Sequence, residues 1–368
     1  MLTTLPPTTS VGRIWRHGLG ELERHVRIRV VDRPGRGRRR SRVDVWLSDG
    51  HQGPLDVSAP VVAHFHEAAW ADPDLRPLMD PAFVAHYEAS SAAAARSATR
   101  LLTISRSSQA QIQEAYGLPA DRIHLAPLGV DHDVYHPGLP PPDDLLARAG
   151  GDARNPYVLF VSTVHPRKNL AVLRDALALL ASDGLTPSLV LVAGPAADRP
   201  DSADLERRAV APIPGSTHPP VNFAGASDHD VARLMAGATT FCLPSLMEGF
   251  GMAVAEAMAC GAPPVVSDRG SLPEVVGDAG IVTSVDAHGV AAGLRAVLTS
   301  TERREALAAA AVRRAAGYTW SGMADRWYEA ILAAADERRC TAQLDGFTTS
   351  RPVKSMRWSS RWRSWVAT

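Results

Sequence analysis

The chain has 368 residues, with 39 basic and 39 acidic side chains, so its formal charge is zero and no overall field draws in nucleic acid. Its length admits two domains of ordinary size, and 45% apolar against 21% charged residues is globular composition. It shows no spanning apolar run and no secretory signal pattern, and its three cysteines (Cys242, Cys260 and Cys340) point to a reduced cytosol rather than a disulfide framework.

An amphipathic run reaches from about Ile14 to His25, and residues 26–31 then read as a strand. Residues 33–42 hold six arginines and two glycines and form a loop, suited to anionic lipid head groups or an acidic acceptor, or simply solvated. Residues 44–47 read as a short strand, followed by a turn at Asp49-Gly50-His51. Residues 61–67, VVAHFHE, are a strong strand ending in polar groups. Ligands of open α/β sheets bind beyond the carboxyl ends of strands, which makes His66 and Glu67 candidates. His64 is placed on the opposite face, away from that site. A helix over 83–98, a strand over 101–105, a helix from about Ser107 and a strand over 122–127 complete a first α/β unit.

Residues 137–142 are proline-dense and mark a boundary, with a linker running to about Pro156. A second unit begins with YVLFVS at 157–162. Arg167-Lys168-Asn169-Leu170 then reads as the start of a helix. Two cations there oppose the helix dipole, a conflict that an anion seated between them would resolve. Only two lysines occur in the chain, Lys168 and Lys354. A strand is expected over 189–194, an irregular loop over 198–220, a short strand and turn at 221–225 and a helix from Asp228.

Residues 241–281, FCLPSLMEGFGMAVAEAMACGAPPVVSDRGSLPEVVGDAGI, carry the densest signal. They read as strand, glycine turn, helix and strand, with Gly261 just past the helix end. Gly249 and Gly251 let the backbone approach a ligand, and the free N–H groups of the first helical turn suit an anion. Glu248 and Glu256 flank that turn, and carboxylates accept hydrogen bonds from vicinal hydroxyls. The combination suggests a phosphate between two polyols, as in a nucleotide sugar. Helices are expected over 287–298 and 300–315, with a last one from 318–321 to about Arg338. The tail from Thr341 is basic, and Trp358, Trp362 and Trp365 would share one helical face, as in an interfacial segment or an unstructured extension.

EGFGMAVAE at 248–256, with its flank CGAPPVVSDRGSLPEVVGDAG, resembles the signature of glycosyltransferase family 4. Pro166-Arg167-Lys168-Asn169 and Gly129-Val130-Asp131 resemble further segments of that family, and His66-Glu67 resembles its His-Asp. The resemblance implies an α/β chain of the GT-B fold, two Rossmann-like domains facing across a cleft. The expected divisions are an acceptor domain over 1–140, a donor domain over 141–318, a helix over 319–338 crossing back to the first domain, and a basic tail over 339–368. The family opens with a full strand before a glycine loop. Here Val11-Gly12-Arg13 matches the loop, Ser10 stands for a second glycine, and the strand is cut to residues 1–5, so the first strand is expected to be truncated.

By the same resemblance, Glu248 and the N–H groups of Gly249, Phe250 and Gly251 would hold the donor sugar, with Met252 at the helix start. Glu256 would bind the ribose, and Gly225 would lie near the base. Gly12 would border the donor, and His66 would touch the transferred sugar. Lys168, assisted by Arg167, would neutralise the leaving diphosphate; part of the family has another arginine where Ser162 stands. No metal or cofactor is required, so Asp131-His132-Asp133 and Asp228-His229-Asp230 read as turns. The implied reaction is retaining transfer, with GDP-mannose the favoured donor, to a glycan or lipid-linked acceptor. It would take place in the cytoplasm or peripherally on the inner membrane face, through 33–42 or the tail. Alternatives are a UDP-glucose-type glucosyltransferase, a nucleotide-sugar 2-epimerase, or an inactive donor-binding homologue.

Overall fold

The computed structural model describes residues 9–30, 43–152, 154–195 and 201–344. The shortened first strand, the arginine loop at 33–42 and the tail beyond 344 lie outside the described residues. Two parallel sheets organise the rest. The first carries β1 (Trp46–Asp49), β2 (Val61–His64), β3 (Arg100–Thr103) and β4 (Ile123–Leu125), in that spatial order. Helices α1 (Ser10–Leu22), α2 (Pro81–Ser97) and α3 (Arg106–Tyr116) accompany it.

A short helix α4 (Asp143–Arg148) follows, and the second sheet then begins at β5 (Tyr157–Val164). Its other strands are β6 (Ser188–Pro195), β7 (Val221–Asn222), β8 (Thr240–Leu243), β9 (Pro264–Ser267) and β10 (Ile281–Thr283). They are interleaved with α5 (Leu170–Ser182), α6 (Ser202–Ala209), α7 (Asp228–Ala236), α8 (Met252–Ala259) and α9 (Leu272–Val276). The order is β10-β9-β8-β5-β6-β7, so the winding reverses between β5 and β8. That reversal opens a crevice at the strand ends, and both predicted donor motifs leave the sheet there. β8 is buried throughout, and β5 over its first half, as strands covered by helices on both faces must be.

Helices α10 (Ala287–Leu298), α11 (Thr301–Ala315) and α12 (Trp320–Leu344) close the chain. The last one returns to the first sheet, where Trp327 is fully buried with its ring centroid 5.2 Å from that of Trp15 on α1. Among the described residues, no helix is long and apolar enough to cross a membrane.

Several expectations change. Residues 26–30 alternate exposed and half-buried as a strand would, and Val26, Ile28 and Val30 pack on the core. They join no ladder among the described residues, so the hydrophobic period is present without the pairing. The expected loop at 198–220 contains α6, whose end is held from outside: Arg174 donates to the carbonyls of Ala209 and Ala211, each at 2.8 Å. The linker contains α4, tied to α7 by Arg233 on Asp144. The final helix runs on to Leu344. Gly12 belongs to the first turn of α1, where the Thr9 hydroxyl accepts its N–H at 3.1 Å. Arg167 and Lys168 lie in a 3-10 turn, Pro166–Lys168, ahead of α5, because Asn169 takes the left-handed conformation at φ 56°.

Candidate active site

The two predicted donor motifs meet at the crevice. The Lys168 ammonium lies 2.6 Å from Glu248 Oε1, and that oxygen also accepts from Ser245 Oγ at 2.7 Å. Both side chains are nearly closed off from solvent, at 13% and 9% exposure. Burial lowers Lys168 from its ordinary pKa despite the attraction of Glu248. Burial pushes Glu248 the other way, yet Lys168, Arg167 and Ser245 together hold it below the usual carboxylate value. The two side chains thus face each other as a buried, hydrogen-bonded pair. Arg167 donates to the Met247 carbonyl at 2.9 Å and lies 3.5 Å from Glu67 Oε1.

The turn between β8 and α8 explains its own glycines. Gly251 caps α8 at φ 84°, a left-handed angle that a side chain resists. A Cβ on Gly249 would sit 2.7 Å from Glu67 Oε2 and 3.1 Å from the His66 carbonyl, so the two sheets approach each other across this residue. Ser108 Oγ, near the start of α3, donates to the Gly249 carbonyl at 3.1 Å. Among the described residues, none of the N–H groups of Gly249, Phe250, Gly251, Met252 and Ala253 has a hydrogen-bond acceptor. They form an anion-seeking helix start beside Lys168 and Arg167. At its other end α8 closes as expected, with Gly261 left-handed and Ala262 N–H on the Ala257 carbonyl at 2.9 Å.

Glu256 faces a partner that the sequence reading did not include. Arg13 of α1 reaches it at 2.7 Å, and its other terminal nitrogen donates to Tyr135 Oη at 3.3 Å. Burial lifts Glu256 to about 7, against the pull of Arg13. A small recess opens here between Arg13, Asp131, Tyr135, Asp228 and Glu256. The two Asp-x-Asp stretches are local: Asp131 accepts the Asp133 N–H, while Asp228 and Asp230 occupy the first turn of α7.

His66 stands at the end of β2, and its Nε2 is buried with no partner among the described residues. Burial lowers its pKa, with Asp49 and Glu67 pulling it back up. His64 is not on the opposite face. Residues two apart in a strand share a face, and the two rings lie 4.9 Å apart. His64 is fully buried against Trp15 and Trp327, and neither of its ring nitrogens has a partner among the described residues.

Of the predicted residues, the structure brings Lys168, Arg167, Glu248, Gly249 and His66 to one place. Glu256 and Met252 lie further along α8. Ser162 sits in β5 paired with Ala193, and Gly225 turns at φ 75° with open space around it. Gly12 spends its N–H on the cap of α1. Sequence reasoning missed Arg13, Ser245, Ser108 and His51. Arg13 follows Gly12 and Ser245 lies three residues before Glu248, but nothing local marks where their side chains reach.

Residues 146–314 match the family described as Glycosyl transferases group 1, and residues 20–134 match the one described as Glycosyltransferase Family 4. Both matches are to glycosyltransferase families, one on each of the two sheets. It is 33% identical over 227 residues to an O-antigen chain mannosyltransferase B of Escherichia coli, covering 61% of this chain and 58% of that one. It is 31% identical to an MMP alpha-(1->4)-mannosyltransferase of Mycolicibacterium hassiacum, covering 62% and 53%. A D-inositol 3-phosphate glycosyltransferase of Mycobacterium bovis is 29% identical over 82% of this chain and 61% of its own. The chain thus spans a little over half the length of the curated relatives it matches. Among solved structures, a glycosyltransferase of Rickettsia africae superposes with a TM-score of 0.64 at 14% identity, covering 90% of this chain and 83% of that one. Anabaena HepE, solved with UDP and glucose, gives 0.57 at 21%, covering 78% and 72%. These likenesses establish the GT-B fold for the chain.

Proposed function

We propose that this chain transfers a sugar, with mannose from GDP-mannose the first choice, from a nucleoside diphosphate sugar to a hydroxyl of a glycan or lipid-linked acceptor. The observation that carries this is the meeting of a buried Lys168–Glu248 pair, Arg167 and the unbonded N–H groups at 249–253 at one sheet reversal. A diphosphate there would find two cations and a helix start, so negative charge developing on the leaving group is stabilised by groups already in place. Each such donor is worth roughly 3–4 kcal/mol in comparable oxyanion sites.

Glu248 and the 249–251 backbone would hold the sugar hydroxyls, and Glu256 the ribose, with Arg13 yielding or sharing that carboxylate. His66, reaching over from the first sheet, would touch the sugar with its unpartnered Nε2. The family resemblance implies retention at the anomeric carbon, with the departing phosphate oxygen taking the acceptor proton. The preference for mannose draws on the two mannosyltransferase relatives.

The test is a panel of nucleotide sugars followed by thermal unfolding and by product analysis. GDP-mannose should raise the melting temperature most and yield a transferred mannose, and Lys168→Ala should abolish the shift. A larger shift with UDP-glucose would change the donor and keep the reaction class. Absence of any shift across the panel would end the proposal.

A further inference from the structure

In the sequence His51 reads only as the end of a turn, yet it is built into the site. It follows β1 in a 3-10 turn, and its ring is buried, only 7% of the residue being exposed. Six polar and aromatic contacts fix it. Its own N–H donates to Asp49 Oδ1 at 2.9 Å, and its carbonyl accepts Ser90 Oγ at 3.0 Å. Nδ1 lies 3.0 Å from Ser91 Oγ of α2. The rings of Phe65 and Trp70 meet it edge-on, each with centroids 5.3 Å away. Its Nε2 lies 3.2 Å from the backbone nitrogen of His66.

That last contact decides the proton. A backbone N–H can only donate, so Nε2 must offer its lone pair. The imidazole proton is then on Nδ1, donated to Ser91 Oγ. The backbone at His66 is where β2 leaves the sheet and turns towards Gly249. Fixing its N–H fixes the direction in which the His66 ring and the Glu67 carboxylate emerge.

We propose that His51 is a positioning residue for sugar transfer: with its proton on Nδ1, its Nε2 pins the His66 N–H and so aims His66 and Glu67 at the reacting sugar. The role of His66 rests on the function proposed above; the pinning does not. Protonation of Nε2 would set donor against donor and release the strand end. The titratable groups around the ring are His66 from the β2 end, Tyr87 from α2 and, further off, His64 of β2, while Asp49 of β1 accepts the His51 backbone N–H. Burial, reinforced by His66, keeps His51 well below its ordinary pKa and therefore neutral at pH 7.

The experiment uses the full chain with its best donor. His51→Leu keeps bulk and removes the acceptor; His51→Gln keeps an acceptor at the Nε2 position. His51→Leu should lower kcat by about 10- to 100-fold, the scale of a sub-ångström to ångström misplacement of a reacting group. Donor KM should move less than about threefold, since the donor motifs lie on the second sheet. His51→Gln should recover most of kcat, and the acid limb of its kcat profile should lie below that of the unaltered chain. Nitrogen-15 imidazole spectra of the unaltered chain should show the Nδ1–H tautomer for His51.

An Nε2–H tautomer would overturn the proposal whether or not any donor is turned over. So would unchanged kcat in a folded His51→Leu, a Gln variant no better than Leu, or a donor KM that rises in step with the loss. Should His51→Leu fail to fold, the Gln acid limb and the tautomer decide. His66→Ala separates the two readings: full activity there would defeat the role of His66, whereas loss there with none in His51→Leu would defeat only the pinning.

Discussion

The two sides of the crevice are built differently. On the second sheet the polar groups are charged and matched: Lys168 with Glu248, and Arg167 with a carbonyl and Glu67. On the first sheet, Glu67 apart, they are neutral imidazoles among aromatic rings, with both His64 ring nitrogens and His66 Nε2 unpartnered among the described residues. A donor diphosphate needs charge that is already oriented, and a buried ion pair supplies that without reorganisation. A transferred sugar is neutral and needs shape and single hydrogen bonds, which uncharged rings provide at lower desolvation cost.

The largest break in this contrast is Lys168→Met. It leaves Glu248 buried without its cation, so unfolding free energy should fall by roughly 3–5 kcal/mol in denaturant titration. Transfer should fall by at least ~100-fold. A variant with unaltered stability would mean the pair is solvated in solution. His66→Ala should act on the other side alone. Its kcat is expected to drop on the order of 10²-fold, while the donor-induced rise in melting temperature survives. Loss of that rise would move His66 into the donor half and erase the distinction.

Glu256 sharpens the contrast through pH. Its folded value of about 7 lies above the ordinary 4.5 because it is buried. Between those values the folded chain keeps a proton that the unfolded chain has lost. The stability from this group is therefore complete below 4.5 and disappears as pH climbs through 7. The change amounts to about 3 kcal/mol at roughly 1.4 kcal/mol per unit. Glu256→Gln should flatten the stability profile between pH 4.5 and about 7, and an unaltered slope there would assign the titration to another group. The smallest effect concerns a residue that only orients Arg13. Thr9→Ala removes the cap of α1 and should cost about 1 kcal/mol. It should also loosen the Arg13–Glu256 pair, read as a higher apparent pKa at Glu256, since Arg13 pulls that value down; no change in either would detach α1 from the site.

The second sheet was the more legible in sequence because its site is contiguous. Glu248, Gly249, Gly251 and Glu256 lie within nine positions, and a strand-turn-helix geometry follows from their spacing. Their chemistry could be read before any partner was known. The parallel units, the proline boundary and most strands and helices were also legible, because hydrophobic period is a local property. The helix at 202–209 was not, since what holds its end is Arg174, some thirty residues earlier.

What the sequence supplied by itself was a constellation: a glycine turn with a free helix start, two acids and an adjacent Arg-Lys pair. Only the tertiary structure decided which charges are matched, that Arg13 meets Glu256, that His64 shares a face with His66, and that His51 holds the strand end. The reason is the range of the forces involved. Turn and helix preferences act within a few residues, whereas a buried hydrogen bond or ion pair depends on atoms that the chain brings together only when both sheets have packed.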